Sequence, residues 1–348
     1  MPKKPDPAMP GGSPAAIEAP FRAFARSIAP YLLALFALSA RAEGPLKLIQ
    51  TVPLPDVKGR FDHFSMDAKG RRLFVAALGN NTVEVIDLTE GKRLHSITGM
   101  SKPQGVLYLP SADEILVANG DDGTLKALDA HQFQIKYTVS ELPDADNVRF
   151  DRHSGAVWIG YGDGALAEVT PSGHKLTSTI KLLAHPESFQ IEKTTSRIFV
   201  NVPDAKQIAV VDAKTHHIIG NWPMEKFQAN FPMALHESTH RLFVGCRNPP
   251  RLLVFNTETG KQLQDLEIAA DTDDLYFDEK RNRIYISCGA GFIDIIAEET
   301  PDSFKALATI KTAPGARTSF YSPDTDCFYL AVPDRGNQKA EIRIFKPQ

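Results

Sequence analysis

Residues 72–92 read RLFVAALGNNTVEVIDLTEGK, and this stretch decides the fold. An apolar run, Arg72 to Ala77, is followed by the turn-forming pair Asn80-Asn81. Residues 82–88 then alternate apolar and polar side chains until Glu90-Gly91 ends the run. Alternation of this kind is the period of a β-strand, and Asn is favoured in tight hairpin turns. The stretch therefore predicts a β-hairpin.

The first half of this hairpin recurs along the chain. Each copy is preceded by a turn residue, and consecutive turn residues are 41 to 45 residues apart: Asp67, Pro110, Asp151, Glu192, Glu237, Asp278 and Pro323. A repeat of about 40–45 residues with four short strands is the signature of a β-propeller. The sequence predicts an all-β fold, a seven-bladed β-propeller.

The seventh repeat lacks its outer strand. Residues 341–345 form its third strand, and the sequence stops three residues later at Gln348. Residues 46–52 resemble the outer strands predicted at 175–182 and 305–312. We expect this N-terminal strand to complete the last blade, because closure removes two open sheet edges.

The first 42 residues have a different character. Arg22 and Arg26 precede an apolar run, residues 28–38, and the small-x-small sequence Ala40-Arg41-Ala42 follows. This order is typical of a secretory signal peptide, and the run is short for a membrane span. We predict a signal peptide with its preceding unstructured segment over 1–42, cleavage after Ala42 and a propeller over 43–348. The protein is then periplasmic or secreted with no transmembrane segment after cleavage; an uncleaved anchor is the alternative.

Composition limits the partners. The chain has 348 residues, of which 43% are hydrophobic and 23% charged, and its formal net charge is −3. Bulk electrostatics therefore give no reason to expect nucleic acid as a partner. A small polar ligand or a protein partner is expected instead, and the protein is expected to be a monomer. Three cysteines without CxxC spacing argue against a cysteine zinc site.

The segment Val83-Glu84-Val85-Ile86-Asp87-Leu88-Thr89-Glu90-Gly91-Lys92 resembles the repeat signature of bacterial YVTN-repeat propellers, the YncE-like group. The resemblance extends blade by blade over residues 46–345. It implies a periplasmic or surface seven-bladed propeller. Members of such groups differ in role, so the resemblance leaves the function open.

Polar side chains cluster just before each predicted inner strand. These segments vary from repeat to repeat, whereas the rest of the repeat is uniform. Inner strands of a propeller surround a central channel, so these segments should meet at one mouth of it, and functional residues concentrate in loops on a rigid scaffold. The candidate ligand-binding residues are Arg60, Asp62, His63, Gln104, Asp146, Asn147, Arg149, His185, Glu187, Asn230, Asp273, Asp274 and Arg317.

Four of the predicted residues are candidate metal ligands because converging carboxylates bind a cation, pair with arginines or hold protons. They are Asp62, Asp146, Glu187 and Asp273. Carboxylate and amide oxygens suit Ca²⁺, whereas His63 and His185 would favour a transition metal. The sequence establishes no cofactor, and a divalent cation, Ca²⁺ in the first instance, is the candidate. The alternative is that these carboxylates only cap strands and join blades.

Three functions fit these patterns. The first is an exported binding or interaction propeller with a carboxylate-rich site for a small polar ligand or metal at the channel mouth. The second is a metal-dependent lactonase or related hydrolase, with His63 or His185 as the base. The third is a structural scaffold for protein contacts. The sequence leaves open whether the protein is an enzyme.

Overall fold

The fold is known from a computed structural model that describes residues 44–348 except Pro171 and Gly173. Seven four-stranded antiparallel sheets form a closed ring, which confirms the seven-bladed β-propeller predicted from the repeat. The predicted signal peptide lies outside the described residues. Over the described part of the chain, no helix is long and apolar enough to cross a membrane.

Each blade runs from an inner to an outer strand in chain order. Blade 1 contains β2 (Phe64–Asp67), β3 (Arg72–Ala77), β4 (Thr82–Asp87) and β5 (Lys92–Ile97). Blade 2 contains β6 (Pro103–Leu109), β7 (Glu114–Asn119), β8 (Thr124–Asp129) and β9 (Ile135–Val139). Blade 3 contains β10 (Val148–Phe150), β11 (Val157–Tyr161), β12 (Ala165–Thr170) and β13 (Lys175–Lys181).

The remaining blades repeat this order. Blade 4 contains β14 (Phe189–Ile191), β15 (Arg197–Val202), β16 (Gln207–Asp212) and β17 (His217–Pro223). Blade 5 contains β18 (Gln228–His236), β19 (Arg241–Asn248), β20 (Pro250–Asn256) and β21 (Gln262–Glu267). Blade 6 contains β22 (Thr272–Asp278), β23 (Arg283–Cys288), β24 (Phe292–Thr300) and β25 (Ser303–Lys311). Two short 3-10 segments also occur: Leu78–Asn80 follows β3, and Glu237–Thr239 follows β18.

Blade 7 is assembled from both ends of the chain. It contains β26 (Thr318–Ser322), β27 (Cys327–Val332) and β28 (Glu341–Pro347), and its outer strand is β1 (Leu46–Pro53). The two end strands pair antiparallel from Leu46 opposite Pro347 to Pro53 opposite Glu341. The predicted closure of the last blade by the N-terminal strand is therefore confirmed.

The core lies between neighbouring blades. Second strands such as β3 and β7 are buried along their whole length, whereas the outer strand β21 alternates exposed and half-buried residues. One of the interblade clusters joins Val52 and Tyr329 of blade 7 to Leu73 of blade 1. Because both faces of a second strand are covered, its sequence is almost continuously apolar.

Arginines at the start of second strands join successive blades. Arg72 donates to the carbonyl of Ala130 in blade 2. The same contact recurs from Arg197 to Thr257, from Arg241 to Pro301 and from Arg283 to Gln348, each at 2.7 Å. Each bond crosses from one blade to the next, so it fixes the relative position of two sheets. The ring that positions the channel mouth is thus cross-linked in several places.

Candidate functional site

A polar cavity of about 190 Å³ lies at one mouth of the central channel. Of the predicted ligand-binding residues, all except Arg149 and Asn230 line it, including the four candidate metal ligands. The complete lining is Arg60, Asp62, His63, Lys102, Gln104, Asp144, Asp146, Asn147, His185, Glu187, Ser188, Phe231, Arg247, Asp273, Asp274 and Arg317. Acidic and basic side chains from all seven blades therefore meet in one small space.

The repeat places three carboxylates at the same position of their blades. The amide of Asp62 donates to the carbonyl of Ala76 at 2.8 Å, and the amide of Asp146 donates to Gly160 at 2.9 Å. The amide of Glu187 makes the same bond to Asn201 at 2.9 Å. Each bond ties the residue before an inner strand to the second strand of its own blade. Equivalent backbone positions thus direct equivalent acids at the channel axis.

Asp62, His63 and Asp146 form the tightest group in this cavity. His63 Nε2 lies 3.8 Å from Asp62 Oδ1 and 3.7 Å from Asp146 Oδ1, and one donor atom from each residue falls within 4.8 Å of the others. Asp146 Oδ1 is buried and has no hydrogen-bond partner among the described residues. A buried oxygen without a partner carries a desolvation cost. This group could hold a metal ion.

A second imidazole approaches Asp146 from the other side. His185 Nε2 lies 3.8 Å from Asp146 Oδ2. The opposite ring nitrogen, Nδ1, lies 2.6 Å from the carbonyl oxygen of Gly162 and 3.8 Å from Asp144 Oδ2. The Gly162 contact fixes the ring plane and directs Nε2 towards the cavity. Asp146 is therefore placed between two histidines.

The histidines and Asp146 shift one another's pKa values. Burial disfavours the charged form of His63, but interactions with Asp146, Asp62 and Asp274 prevail and raise its pKa to about 9. Burial likewise opposes charge on His185, while Asp146 and the Gly162 carbonyl raise its pKa to about 9. Burial would raise the pKa of Asp146, yet the two imidazoles hold it well below its usual range. Without a bound cation, the histidines themselves carry the charge that neutralises Asp146.

Other carboxyls in the cavity hold their protons. Burial, with a contribution from the Asp146 charge, raises the pKa of Asp62 to about 7 and that of Glu187 to about 8. Burial and the Asp273 charge raise the pKa of Asp274 to about 7. Carboxyls behave in this way when negative charge exceeds the positive charge nearby. These cavity carboxyls consequently bind protons more tightly than free carboxyls do.

Two arginines neutralise a different part of the wall. Arg247 pairs with Asp273 Oδ1 and lies with its guanidinium 3.7 Å from the centre of the Phe231 ring. Arg317 Nε lies 2.9 Å from Asp273 Oδ2, and Arg317 Nη1 lies 2.7 Å from Asp271 Oδ1. Both oxygens of Asp273 therefore contact arginines, unlike those of Asp146. Among the candidate metal ligands, Asp273 is the one with an arginine at each of its two oxygens.

Cationic side chains also stand at the rim. Arg60 is 45% exposed and lies 3.3 Å from Asp62 Oδ2, and Lys102 lies 3.7 Å from Asp144 Oδ1. Gln104 Nε2 donates to Asp144 Oδ1 at 3.2 Å and to a backbone carbonyl. The rim therefore offers positive charge to a ligand that enters from solvent, while acids occupy the interior.

Two predicted residues lie outside the cavity wall. Arg149 donates to its own neighbour Asn147 Oδ1 at 3.0 Å and stacks over Phe189, and burial lowers its pKa. Asn230 is fully buried and donates to Asn201 Oδ1 at 2.9 Å, which joins blade 5 to blade 4. The structure gives these two residues contacts within the propeller instead of a place on the wall.

Sequence reasoning did not assign Lys102 and Arg247 to the site. Lys102 directly precedes β6, one residue before the position that corresponds to Arg60 in blade 1. Arg247 lies at the end of the second strand β19, whereas the predicted site residues come from the segments that precede the inner strands. Adjacent strands of a sheet are antiparallel, so the end of a second strand reaches the same mouth as the start of an inner strand. The ends of the second strands are therefore the sequence signal that identifies Arg247.

Comparison with known proteins supports the fold. No known protein family matches the sequence, and a comparison with curated proteins also finds no match. Among solved structures, the hydrazine synthase of Kuenenia stuttgartiensis superposes with a TM-score of 0.71 at 14% identity, over 79% of this chain and 93% of that chain. A chain of the mitotic checkpoint complex superposes with a TM-score of 0.74 at 12% identity, over 92% and 98%. At such identities the similarity is one of propeller fold.

Proposed function

We propose that this protein is a binding propeller that holds a divalent cation at its channel mouth and, with it, a small polar ligand. The single observation that supports the cation is the Oδ1 atom of Asp146, which is buried and without a hydrogen-bond partner among the described residues, beside Asp62 and His63. A cation would satisfy this oxygen and offset the charge of two carboxylates at once.

The spacing of the donors fits a small ion. Ligand atoms at about 2.0–2.2 Å from one tetrahedral ion lie about 3.4 Å from one another. His63 Nε2 is 3.7 Å from Asp146 Oδ1 and 3.8 Å from Asp62 Oδ1, so each of these two pairs needs a contraction of a few tenths of an ångström, and one donor atom from each of the three residues lies within 4.8 Å of the others. A nitrogen donor favours a transition metal such as Zn²⁺ or Mn²⁺ over the oxygen-preferring Ca²⁺. We therefore place the transition metal ahead of Ca²⁺.

The ligand is small and carries negative charge. The cavity of about 190 Å³ admits a molecule of a few heavy atoms. Arg60 and Lys102 stand half-exposed at the rim, where an anionic group would replace water around their charges. An anion that also coordinates the cation would contact both the rim and the interior.

Direct measurement of metal binding tests the proposal. Purified protein, first freed of metal with a chelator, would be titrated with Mn²⁺ or Zn²⁺ by calorimetry. We expect Asp146→Asn to weaken binding about 100-fold or more, because it removes the charge of an unpaired oxygen. Asp122→Asn is the control, since Asp122 is an exposed turn carboxylate that does not line the cavity. Equal affinity in wild type and Asp146→Asn would refute the site.

A metal-dependent lactonase or related hydrolase is the second candidate. The observation that favours it is that the donor group opens into a cavity where a substrate carbonyl could reach a metal-bound water. Hydrolysis of a panel of lactones, measured with and without chelator, decides between binding and catalysis. Turnover that chelation abolishes and Asp146→Asn removes would establish the enzyme. Absence of turnover in metal-loaded protein would leave the binding role.

Export and kinship are part of the same proposal. The order of basic, apolar and small residues over 1–42 supports export to the periplasm or the medium. The repeat phrase of blade 1 supports membership of the YVTN-repeat propellers. N-terminal sequencing of the protein from cell fractions tests export: a mature chain beginning at Glu43 outside the cytoplasm is expected. An intact N-terminus in the cytoplasmic fraction would contradict it.

A further inference from the structure

Asp146 presents its two oxygens to two different histidines. Its Oδ1 atom lies 3.7 Å from His63 Nε2, and its Oδ2 atom lies 3.8 Å from His185 Nε2. The two distances are nearly equal, and the carboxylate is 10% exposed. A carboxylate that faces one nitrogen donor with each oxygen has the geometry of a ligand that bridges two ions.

Each imidazole is oriented in the same way. His185 Nδ1 lies 2.6 Å from the carbonyl oxygen of Gly162, so in the neutral ring Nδ1 carries the hydrogen and Nε2 keeps its lone pair for the cavity. His63 Nδ1 faces Asp274 Oδ1 at 4.0 Å, while its Nε2 faces Asp146. Metal-binding histidines are usually held in this manner by a carbonyl or carboxylate behind the ring.

The propeller repeat supplies a further acid to each side. Asp62 precedes His63 in blade 1, and Glu187 follows His185 by two residues in blade 4. The amides of Asp62 and Glu187 make the same hydrogen bond to the second strand of their blades, to Ala76 and Asn201. Both acids line the cavity. Each histidine therefore faces one oxygen of Asp146 and has an acid of its own blade within two residues in the sequence. The donor atoms of Asp62, His63 and Asp146 already lie within 4.8 Å of one another, whereas the second ion requires the Glu187 side chain to move towards His185.

We infer that the channel mouth binds two divalent cations bridged by Asp146, the first held by Asp62 and His63 and the second by His185 and Glu187. The inference rests on the proposed function, because the first ion is the one proposed above. Paired ions at bridging distance, about 3.5–4 Å, act as a clamp for an oxyanion. The ligand class is thus a small molecule with a phosphate or carboxylate group, whose charge also suits Arg60 at the rim.

Metal stoichiometry tests the pair. Chelator-treated protein would be dialysed against Mn²⁺, and bound metal would be counted by mass spectrometry and examined by electron paramagnetic resonance. We expect about two Mn²⁺ per chain and a spin-coupled spectrum in wild type. His185→Ala should retain about one Mn²⁺ with the six-line spectrum of an isolated ion. Glu187→Gln, which preserves side-chain size, should weaken the second ion and serves if His185→Ala does not fold.

The controls separate the two proposals. His217→Ala alters an exposed histidine on the outer strand β17 and should leave two ions bound. Saturation at one Mn²⁺ in wild type, with the same affinity in His185→Ala and Glu187→Gln, would overturn the pair and leave the single site. Absence of bound metal in wild type would overturn the proposed function itself. Melting temperatures recorded for every variant show whether each is folded.

Discussion

The charge of Asp146 should govern the protonation of both cavity histidines. His63 Nε2 lies 3.7 Å from Asp146 Oδ1, and two unit charges at that distance interact by about 4.5 kcal/mol at an effective dielectric constant of about 20, or about 3 pKa units. The distance to His185 is 3.8 Å, so its interaction is of similar size. In metal-free Asp146→Asn, burial then acts with less opposition. We expect the pKa values of His63 and His185 to fall by about 2 units. The fall is smaller than the full value of about 3 units because other carboxylates remain near both rings.

Nuclear magnetic resonance measures this change directly. The ring signals of the ten histidines would be followed against pH in chelated protein, and the signals of His63 and His185 would be assigned with single His→Gln variants. In wild type we expect both to titrate at about 9. The control is Asp144→Asn, whose half-exposed carboxylate faces His185 and not His63. Values in Asp146→Asn within about half a unit of wild type would refute the placement of Asp146 between the rings.

Three other predictions concern stability. Cavity pKa values raised to about 7 for Asp62, 8 for Glu187 and 9 for His63 mean that these groups bind protons more tightly in the folded state than in the unfolded chain; their contribution to the stability of chelated protein should therefore fall as pH rises from 6 to 9, and a melting temperature that is flat or rises over this range would contradict this. A chain that begins at Leu54 lacks β1 and should melt lower and self-associate through the open edge of β28, whereas one that begins at Gly44 should not; identical melting and light scattering would exclude closure by β1. Arg72→Met leaves buried Asp67 without its partner and should lower the free energy of unfolding by about 3 kcal/mol or more in urea, with partial recovery in the double variant with Asp67→Leu; a loss below about 1 kcal/mol would deny the importance of the buried Arg72–Asp67 pair.

The acids at the channel mouth are balanced in two different ways. Asp273 is balanced by Arg247 and Arg317, as a structural acid would be. Among the described residues, Asp146 contacts two titratable histidine rings and no arginine. This contrast within one cavity is the reason that we propose a binding role for the group around Asp146 and a structural role for the group around Asp273.

The sequence by itself determined the number of blades, their strand order and the closing strand. Each of these depends on local information: a strand period, a turn residue such as Asp151 or Glu192, and a missing outer strand after Phe345. It also located most of the mouth, because the residues before the inner strands occupy one repeat position and a closed ring must bring that position to one axis.

Only the tertiary structure decided which of those side chains act together. Asp62 and Asp146 belong to blades 1 and 3, and their contact through His63 depends on side-chain direction across the channel. Asn230 stands in the same repeat segment but turns towards Asn201, between blades. Arg247 reaches the mouth from a second strand. Distances across a ring are set by the packing of blades far apart in sequence, and a repeat pattern carries no record of them.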